Sequence, residues 1–462
     1  MNNSILLNVD SYKIAMGKMY PPGTEYVYSY IEARGGKYAE TEFIGVQAFA
    51  KYLATPITQE DIDYADKIWT LHGEPFNRAG WQYILDKHNG RLPLRIRAAK
   101  EGLVIPTRNV LCTIENTDPQ CYWLTTWVET AALRAIWYPT TVGTVAWNIK
   151  KLIMGYLEKS GDPSGIDFKL HNFGSRGTSS RESAAIGGMA HLVNFKGTDT
   201  IEGVLEAMDV YGGEVCGFSI TASEHSVICS WGRDHEVDSY RNMIKQFGKP
   251  GAVFACVSDS YDIFAACEMW GTVLKQDVID SGATVVIRPD SGDPLVVLPK
   301  MLHMLEEHFG APKNDKGYKV LNNVRIIWGD GINALSIASI LRTVVDLCGY
   351  SADNIGFGMG GNLMQNLSRD DMMWAMKCSA VCVNGEWRDV FKAPITDPGK
   401  VSKKGRVTLW ESGGEYQTAV AAPHNWTDKG DGDWKDCLET YFLDGEIVFT
   451  QTFDRVRANA MI

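Results

Sequence analysis

Arginine, aspartate, histidine and glycine recur in this chain at the polar ends of short apolar runs. The sharpest case is "IRPDSGDP" (287–294), where an apolar run delivers Arg288 and then Asp290. Pro289 fixes the backbone there, and Gly292 allows a tight turn. A guanidinium offers a planar fork to a phosphate, and a carboxylate can take a sugar hydroxyl or Mg²⁺. The alternative is an Arg–Asp ion pair closing a strand. "WGDG" (328–331) sets Asp330 between Gly329 and Gly331, open to a sugar diol or simply a turn aspartate. "GFGMGGN" (356–362) fits a phosphate cradle at Gly360 and Gly361 better than a dinucleotide fingerprint. It comes late in the chain, with no acidic residue about 20 positions on. His225 in "TASEHS" is a candidate nucleophile or acid–base group, or a structural histidine at a strand end. Asp259 in "VSDSYD" has the spacing of a helix cap, and Asp199 in "FKGTD" is ambiguous in the same way. Phe173 and Arg176 in "HNFGSRG" pair an aromatic face with a guanidinium, which suits a planar ligand or plain packing.

These groups converge only if their elements do. Eight apolar runs carry such signatures: 168–177, 191–199, 217–226, 252–262, 283–294, 324–331, 354–362 and 377–383. Most are followed by a helical pattern. A strand, a reactive turn and a helix in repetition predict an irregular α/β barrel with its site on the loops after the strands. On either side, 26–34, 92–106, 109–116, 406–410, 416–421 and 446–450 alternate like antiparallel strands. Two buried helices are expected over 121–137 and 143–159, with Pro139 breaking between them. The expected organisation is therefore 1–150 as the first part of a β-rich domain, 151–390 as the barrel, and 391–462 as strands returning to the β-rich domain.

A chain of 462 residues exceeds one compact core. The net charge of −11 disfavours a general nucleic-acid binder while leaving room for a local basic pocket such as "KVSKKGR" (400–406). No apolar stretch reaches the length of a membrane span, and the start has no basic, apolar leader pattern. The ten cysteines include no CxxC pair and several lie in apolar runs, as buried thiols in a reducing compartment would. A cytoplasmic protein is expected.

Taken in order, "DSYK" (10–13), "YPP" (20–22), "ENTDPQCYWLTTWVET" (115–130), "AHLVNFKGTDT" (190–200), "WGRDHE" (231–236), "SDSYDI" (258–263), "IRPDSGDPL" (287–295) and "KKGR" (403–406) resemble the nicotinamide phosphoribosyltransferase family over almost the whole chain. The resemblance implies transfer of phosphoribose from phosphoribosyl pyrophosphate to nicotinamide, with Mg²⁺, and with ATP hydrolysed through a phosphohistidine. It implies a homodimer with shared sites, and an irregular barrel beside a β-rich domain. By resemblance, the nicotinamide ring lies between Phe173 and Tyr12 of the partner subunit, and Asp199 faces the carboxamide. His225 is the phosphorylated residue, and Asp259, Asp290 and Asp330 serve ribose and the metal–phosphate end. Arg176, Arg288, Gly329, Gly360 and Gly361 hold ligand and phosphate. Arg34, Arg369, Lys377, Lys392 and Lys400 neutralise pyrophosphate or ATP.

The chain departs from the family pattern at Asn172, Ser175, Thr221, Ser223 and Ala255, all beside the expected ring site. Three other readings compete: a nicotinate phosphoribosyltransferase, a non-catalytic binder of the same fold, and an aldolase-type phosphate barrel. Asp199 argues against the first because it would repel a carboxylate. The intact phosphate and ribose positions argue against the second. The third lacks a lysine at the end of the first seven runs.

Overall fold

The computed structural model describes residues 4–396, 400–420 and 434–461. They form two compact units. One runs to Thr144 and resumes with Ala207–Gly213 and Ser368–Met461; the other holds Val145–Glu206 and Glu214–Leu367.

The second unit carries six parallel strands: β1 (Leu170–Asn172), β2 (Thr221–Ala222), β3 (Val253–Val257), β4 (Thr284–Arg288), β5 (Val324–Trp328) and β6 (Ile355–Met359). Their order is β1-β6-β5-β4-β3-β2. Single parallel bridges, Asn172 to Thr198 and Gly197 to Phe218, carry the segment 196–199 between the two edges of the curled sheet. Bridges in place of a ladder make the barrel irregular. The central strands β3 and β4 are largely apolar because helices and barrel interior cover both faces; Val285 and Ile287 of β4 are fully buried. Four of the six strands lead to a helix that starts at a side-chain cap. Asp293 accepts from Leu295 N at the start of Pro294–Phe309, and Asn333 caps Ala334–Leu341.

Two of the eight predicted barrel runs are corrected. Residues 191–194 end the helix Arg181–Asn194, so only the tail of 191–199 reaches the sheet. The run 377–383 lies in the strand Trp374–Val383, which pairs antiparallel with Thr24–Ala33 in the other unit. A central strand buried on both faces looks the same in hydropathy whether its sheet is parallel or antiparallel.

That sheet has seven strands, in the order Glu386–Asp389, Trp374–Val383, Thr24–Ala33, Cys112–Asn116, Leu94–Ala98, Glu439–Leu443, Glu446–Ile447. Strands from both halves of the chain thus build one antiparallel domain. The predicted run 92–106 is split between Leu94–Ala98 and Val104–Pro106. Gly102 turns between them at φ +85°, where a Cβ would lie 2.0 Å from Val456 O. Residues 416–420 pair with Val407–Ser412, while Ala421 of that predicted strand lies outside the described residues. An edge-to-face cluster of Trp81, Trp123 and Trp127, with ring centroids 5.0–5.7 Å apart, anchors the core of this unit.

Pro139 does not break the chain into two helices: one helix spans Glu129–Ser160. Proline cannot donate to the carbonyl of Ala135. Gly45 packs its backbone at that carbonyl, where a Cβ would sit 2.1 Å from the oxygen. The Thr140 hydroxyl also ties the helix to both backbone groups of Ile44. These contacts hold the helix across a residue that interrupts isolated helices.

Candidate active site

Five of the predicted residues form one unbroken run of contacts at the C-terminal ends of the barrel strands. Arg288, the last residue of β4, lies 5.7 Å from the ring centre of Phe173, just after β1. Its Nη2 pairs with Asp290 Oδ1 at 2.9 Å. Asp290 N donates to Asp259 Oδ2 at 2.9 Å, as does the Ser291 hydroxyl at 2.5 Å. Asp259 Oδ1 meets His225 Nε2 at 3.0 Å. The Asp259 side chain is 4% exposed against 43% for His225, so the carboxylate is the fixed support and the ring is the accessible group. The helix-cap reading of Asp259 is corrected by the local geometry. Asp262 is the cap of Ile263–Gly271, accepting from Phe264 N and Ala265 N, which leaves Asp259 free for His225. Arg288 Nε is buried and has no hydrogen-bond partner among the described residues.

Asp199 stands at the same mouth. His171 Nε2 lies 2.9 Å from its Oδ1, and the Ser219 hydroxyl donates to that same oxygen. Asp199 N donates to Asn172 O at 2.7 Å, fixing the residue beside the start of the Phe173 turn. Burial works against its charge, but His171, Ser219 and Arg288 outweigh burial and hold the carboxyl below its ordinary range. A cavity of about 710 Å³, lined by five of the six strands, reaches His171 and Ser219. His171, Ser219 and Ser291 were not singled out from sequence. Strand alternation was the available signal for His171, since residues 171 and 173 share a face.

The glycines make room for the ring of Phe173. A Cβ on Gly358 would lie 1.6 Å from it, and one on Gly329 would lie 2.7 Å away. Gly361 borders open space, a Cβ on Gly360 would meet Gly174 and the Phe173 ring at 3.8–3.9 Å, and the helix Gly361–Met364 is a single turn. Gly292 makes the expected tight turn, at φ +91°. Asp330 is exposed in a turn, with its backbone carbonyl taken by Trp328 Nε1. Arg176 is exposed on the short helical turn Ser175–Gly177. The departures from the family pattern are accommodated structurally. Buried Asn172 accepts from Gly174 N and the Thr200 hydroxyl, and its Nδ2 faces Met364 Sδ at 3.3 Å, a contact that needs the amide. Ser223 accepts from Val257 N and so pins β2 to β3. Ser175 bonds Glu202. Thr221 is exposed and Ala255 buried.

The remaining predicted residues lie in the antiparallel unit, where Arg34, Lys377 and Lys392 form a basic group with Lys13. Lys377 stands opposite Tyr30 in the sheet. Burial lowers its pKa, Glu129 counteracts this, and the charges of Arg34, Lys392 and Lys13 lower it further. Arg34 Nε donates to Met373 O, and Arg369 pairs with Asp370. Lys392 and Lys400 are exposed, and Tyr12 shows 62% of its surface to solvent. In the same unit His88, Asp118 and Cys121 bring ligand atoms within 4.8 Å of one another. There the carboxylate already accepts from His88, Tyr83 and Gln120 N, and burial pushes the Cys121 thiol up to about 12. The group is a hydrogen-bonded corner.

No helix among the described residues is long and apolar enough to cross a membrane. Residues 168–446 match the nicotinate phosphoribosyltransferase (NAPRTase) family, and residues 4–96 match the nicotinamide phosphoribosyltransferase N-terminal domain. The chain is 52% identical to a nicotinamide phosphoribosyltransferase of Xanthomonas campestris pv. campestris, over 99% of this chain and 98% of that one. It is 30% identical to a nicotinamide phosphoribosyltransferase of Acinetobacter baylyi, over 97% and 95%. Its fold is similar to the crystal structure of nicotinate-nucleotide pyrophosphorylase from Pyrococcus furiosus, with a TM-score of 0.65 over 100% of this chain and 95% of that one, at 16% identity. With the barrel, the antiparallel domain and the acidic–basic mouth described, the chain belongs to the nicotinamide phosphoribosyltransferases, a family of pentosyl-transferring enzymes.

Proposed function

We propose that this enzyme transfers 5-phosphoribose from phosphoribosyl pyrophosphate to nicotinamide, giving nicotinamide mononucleotide and pyrophosphate for NAD salvage. The observation that carries the reading is the Asp199 carboxylate, ionised and beside Phe173 and Arg288. Such a group accepts from a carboxamide N–H and repels a carboxylate, which favours nicotinamide over nicotinate. The pyridine nitrogen lone pair forms the bond to the anomeric carbon, and the C–O bond to pyrophosphate breaks with its electrons leaving on oxygen. No general base is needed. Positive charge grows on the ribose, which Asp290 and Asp330 tolerate, and negative charge grows on the leaving group. Arg288, Arg176 and the basic residues Arg34, Arg369, Lys377, Lys392 and Lys400 would bind the phosphates. Stacking on Phe173 orients the base, with Tyr12 of the partner subunit on its other face in a homodimer.

Mg²⁺ suits the donors present: Asp330 and the second oxygen of Asp290 are hard oxygen ligands without a hydrogen bond among the described residues. Bound through the phosphates, it would supply charge neutralisation. ATP would be a co-substrate at His225. With Nε2 turned to Asp259, Nδ1 keeps its lone pair. Nδ1 attacks the γ-phosphorus, the bond to the bridging oxygen breaks and ADP leaves. The phosphohistidine then adds a charge of about −2 near the pyrophosphate site. Ten cysteines without a disulfide suit the reducing cytoplasm.

The test is product formation from nicotinamide and from nicotinate, each with and without ATP. Nicotinamide mononucleotide should dominate, and Asp199→Ser should weaken nicotinamide use and relax discrimination, which can reach about 10⁴-fold in a site built around a polar partner. Wild-type preference for nicotinate would overturn the assignment.

A further inference from the structure

We propose that His171 is a positioning residue for base choice: with Ser219 it clamps Asp199 by one oxygen only, so that the other is presented to the carboxamide. This rests on the reading of Asp199 as the amide acceptor.

Both side-chain partners of Asp199 meet Oδ1: His171 Nε2 as an ion-pair neighbour at 2.9 Å and the Ser219 hydroxyl as a hydrogen-bond donor. Oδ2 takes none among the described residues. A carboxylate rotates about its last torsion over a broad range when nothing holds it. Two polar partners on one oxygen restrict that torsion and leave the second oxygen with its lone pairs aimed away from the protein's own donors.

The clamp is itself held. The His171 backbone is in β1, opposite Gly358 of β6. Its ring packs on Gly197, where a Cβ would lie 2.9 Å from Nδ1. The side chain is 15% exposed, against 48% for Asp199, so the ring is the fixed member of the pair. Asp199 N is tied to Asn172 O, the residue after His171. Ser219 follows Phe218, which is bridged to Gly197. Three neighbouring segments of the irregular barrel edge thus deliver donor, acceptor and donor to one point. His171 and Ser219 also line the 710 Å³ cavity, so the carboxylate is fixed from the cavity side.

The experiment compares wild type with His171→Ala, His171→Gln, Ser219→Ala and Asp199→Asn. It measures kcat and KM for nicotinamide and for nicotinate at saturating co-substrates, KM for phosphoribosyl pyrophosphate, and melting temperature. His171→Ala should raise KM for nicotinamide about tenfold, the loss of roughly one hydrogen bond to a charged group. KM for phosphoribosyl pyrophosphate should stay within about twofold, and the preference over nicotinate should fall in step. His171→Gln, which can return an N–H toward Oδ1, should recover part of the loss. Ser219→Ala should shift KM in the same direction; it removes an exposed hydroxyl and so stays informative if His171→Ala folds poorly. An unchanged nicotinamide KM and base ratio in His171→Ala, or equal loss of kcat for both bases without rescue by Gln, overturns the clamp. If Asp199→Asn also leaves base choice unchanged, the Asp199 reading falls with it. If only Asp199→Asn changes base choice, the clamp alone is wrong.

Discussion

Asp259 is a carboxylate kept almost wholly from solvent. Both of its oxygens are used, by His225 on one side and by Asp290 N and Ser291 on the other. Asp259→Ala would strand a backbone N–H and release His225, costing about 1–3 kcal/mol. We expect that variant to lose ATP-stimulated synthesis and to melt earlier, while His225→Ala loses ATP hydrolysis and acid-labile phosphate yet keeps a slower ATP-independent synthesis. Persistence of ATP stimulation in His225→Ala would falsify the phosphohistidine role. Asp199 gives a prediction in pH. Its carboxyl is held below the ordinary range, so its contribution to stability is whole above the unfolded value of about 3.9 and is lost as pH falls through the lowered folded value. The group is half exposed, so the contribution is small. The gap in melting temperature between wild type and Asp199→Asn should be flat from about pH 6 to 8 and narrow only below about pH 4; a gap that closes near neutrality would contradict the direction of the shift.

At the level of elements, β6 and the turn after β1 are fitted to each other by glycine. The ring of Phe173 occupies the space that a side chain at Gly358 would fill. Gly358→Ala should therefore force the ring to move and destabilise the fold by about 1–3 kcal/mol, as overpacking does. Nicotinamide KM should rise as well, because the ring proposed to stack on the base is displaced. Gly361→Ala is the contrast: nothing lies within 4 Å of its Cβ position and its φ is ordinary, so its melting temperature should stay close to wild type. Equal damage from the two would mean that glycine flexibility, and not space for Phe173, is what β6 requires. The "GFGMGG" pattern was visible in the sequence, but its purpose at Gly358 was not, because its neighbour in space is 185 residues away in the chain.

At the scale of the whole molecule, two copies are proposed to complete each other's sites. Tyr12 is an aromatic left largely in solvent, in a family read as sharing its sites across a homodimer. An inactive Tyr12 variant mixed with an inactive Asp290 variant should recover part of the activity through hybrid sites. Verified hybrids with no recovery would count against a shared site.

The order of motifs along the chain carried the family, the strand–turn–helix rhythm and most of the polar residues at the barrel mouth, because those depend on residue type and local spacing. Hydropathy could not tell a buried antiparallel strand from a parallel one, so Trp374–Val383 was assigned to the wrong sheet. Local propensity could not see Gly45 beside the freed Ala135 carbonyl, so Pro139 looked like a break. It favoured Asp259 as a helix cap until the fold gave that task to Asp262. Strand alternation could put His171 on the face of Phe173, but not beside Asp199, since a partner is recognised only once the fold brings it close. Only the tertiary structure sets residue 171 against residue 199, and it does so because barrel curvature, unlike chain order, decides which strand ends meet.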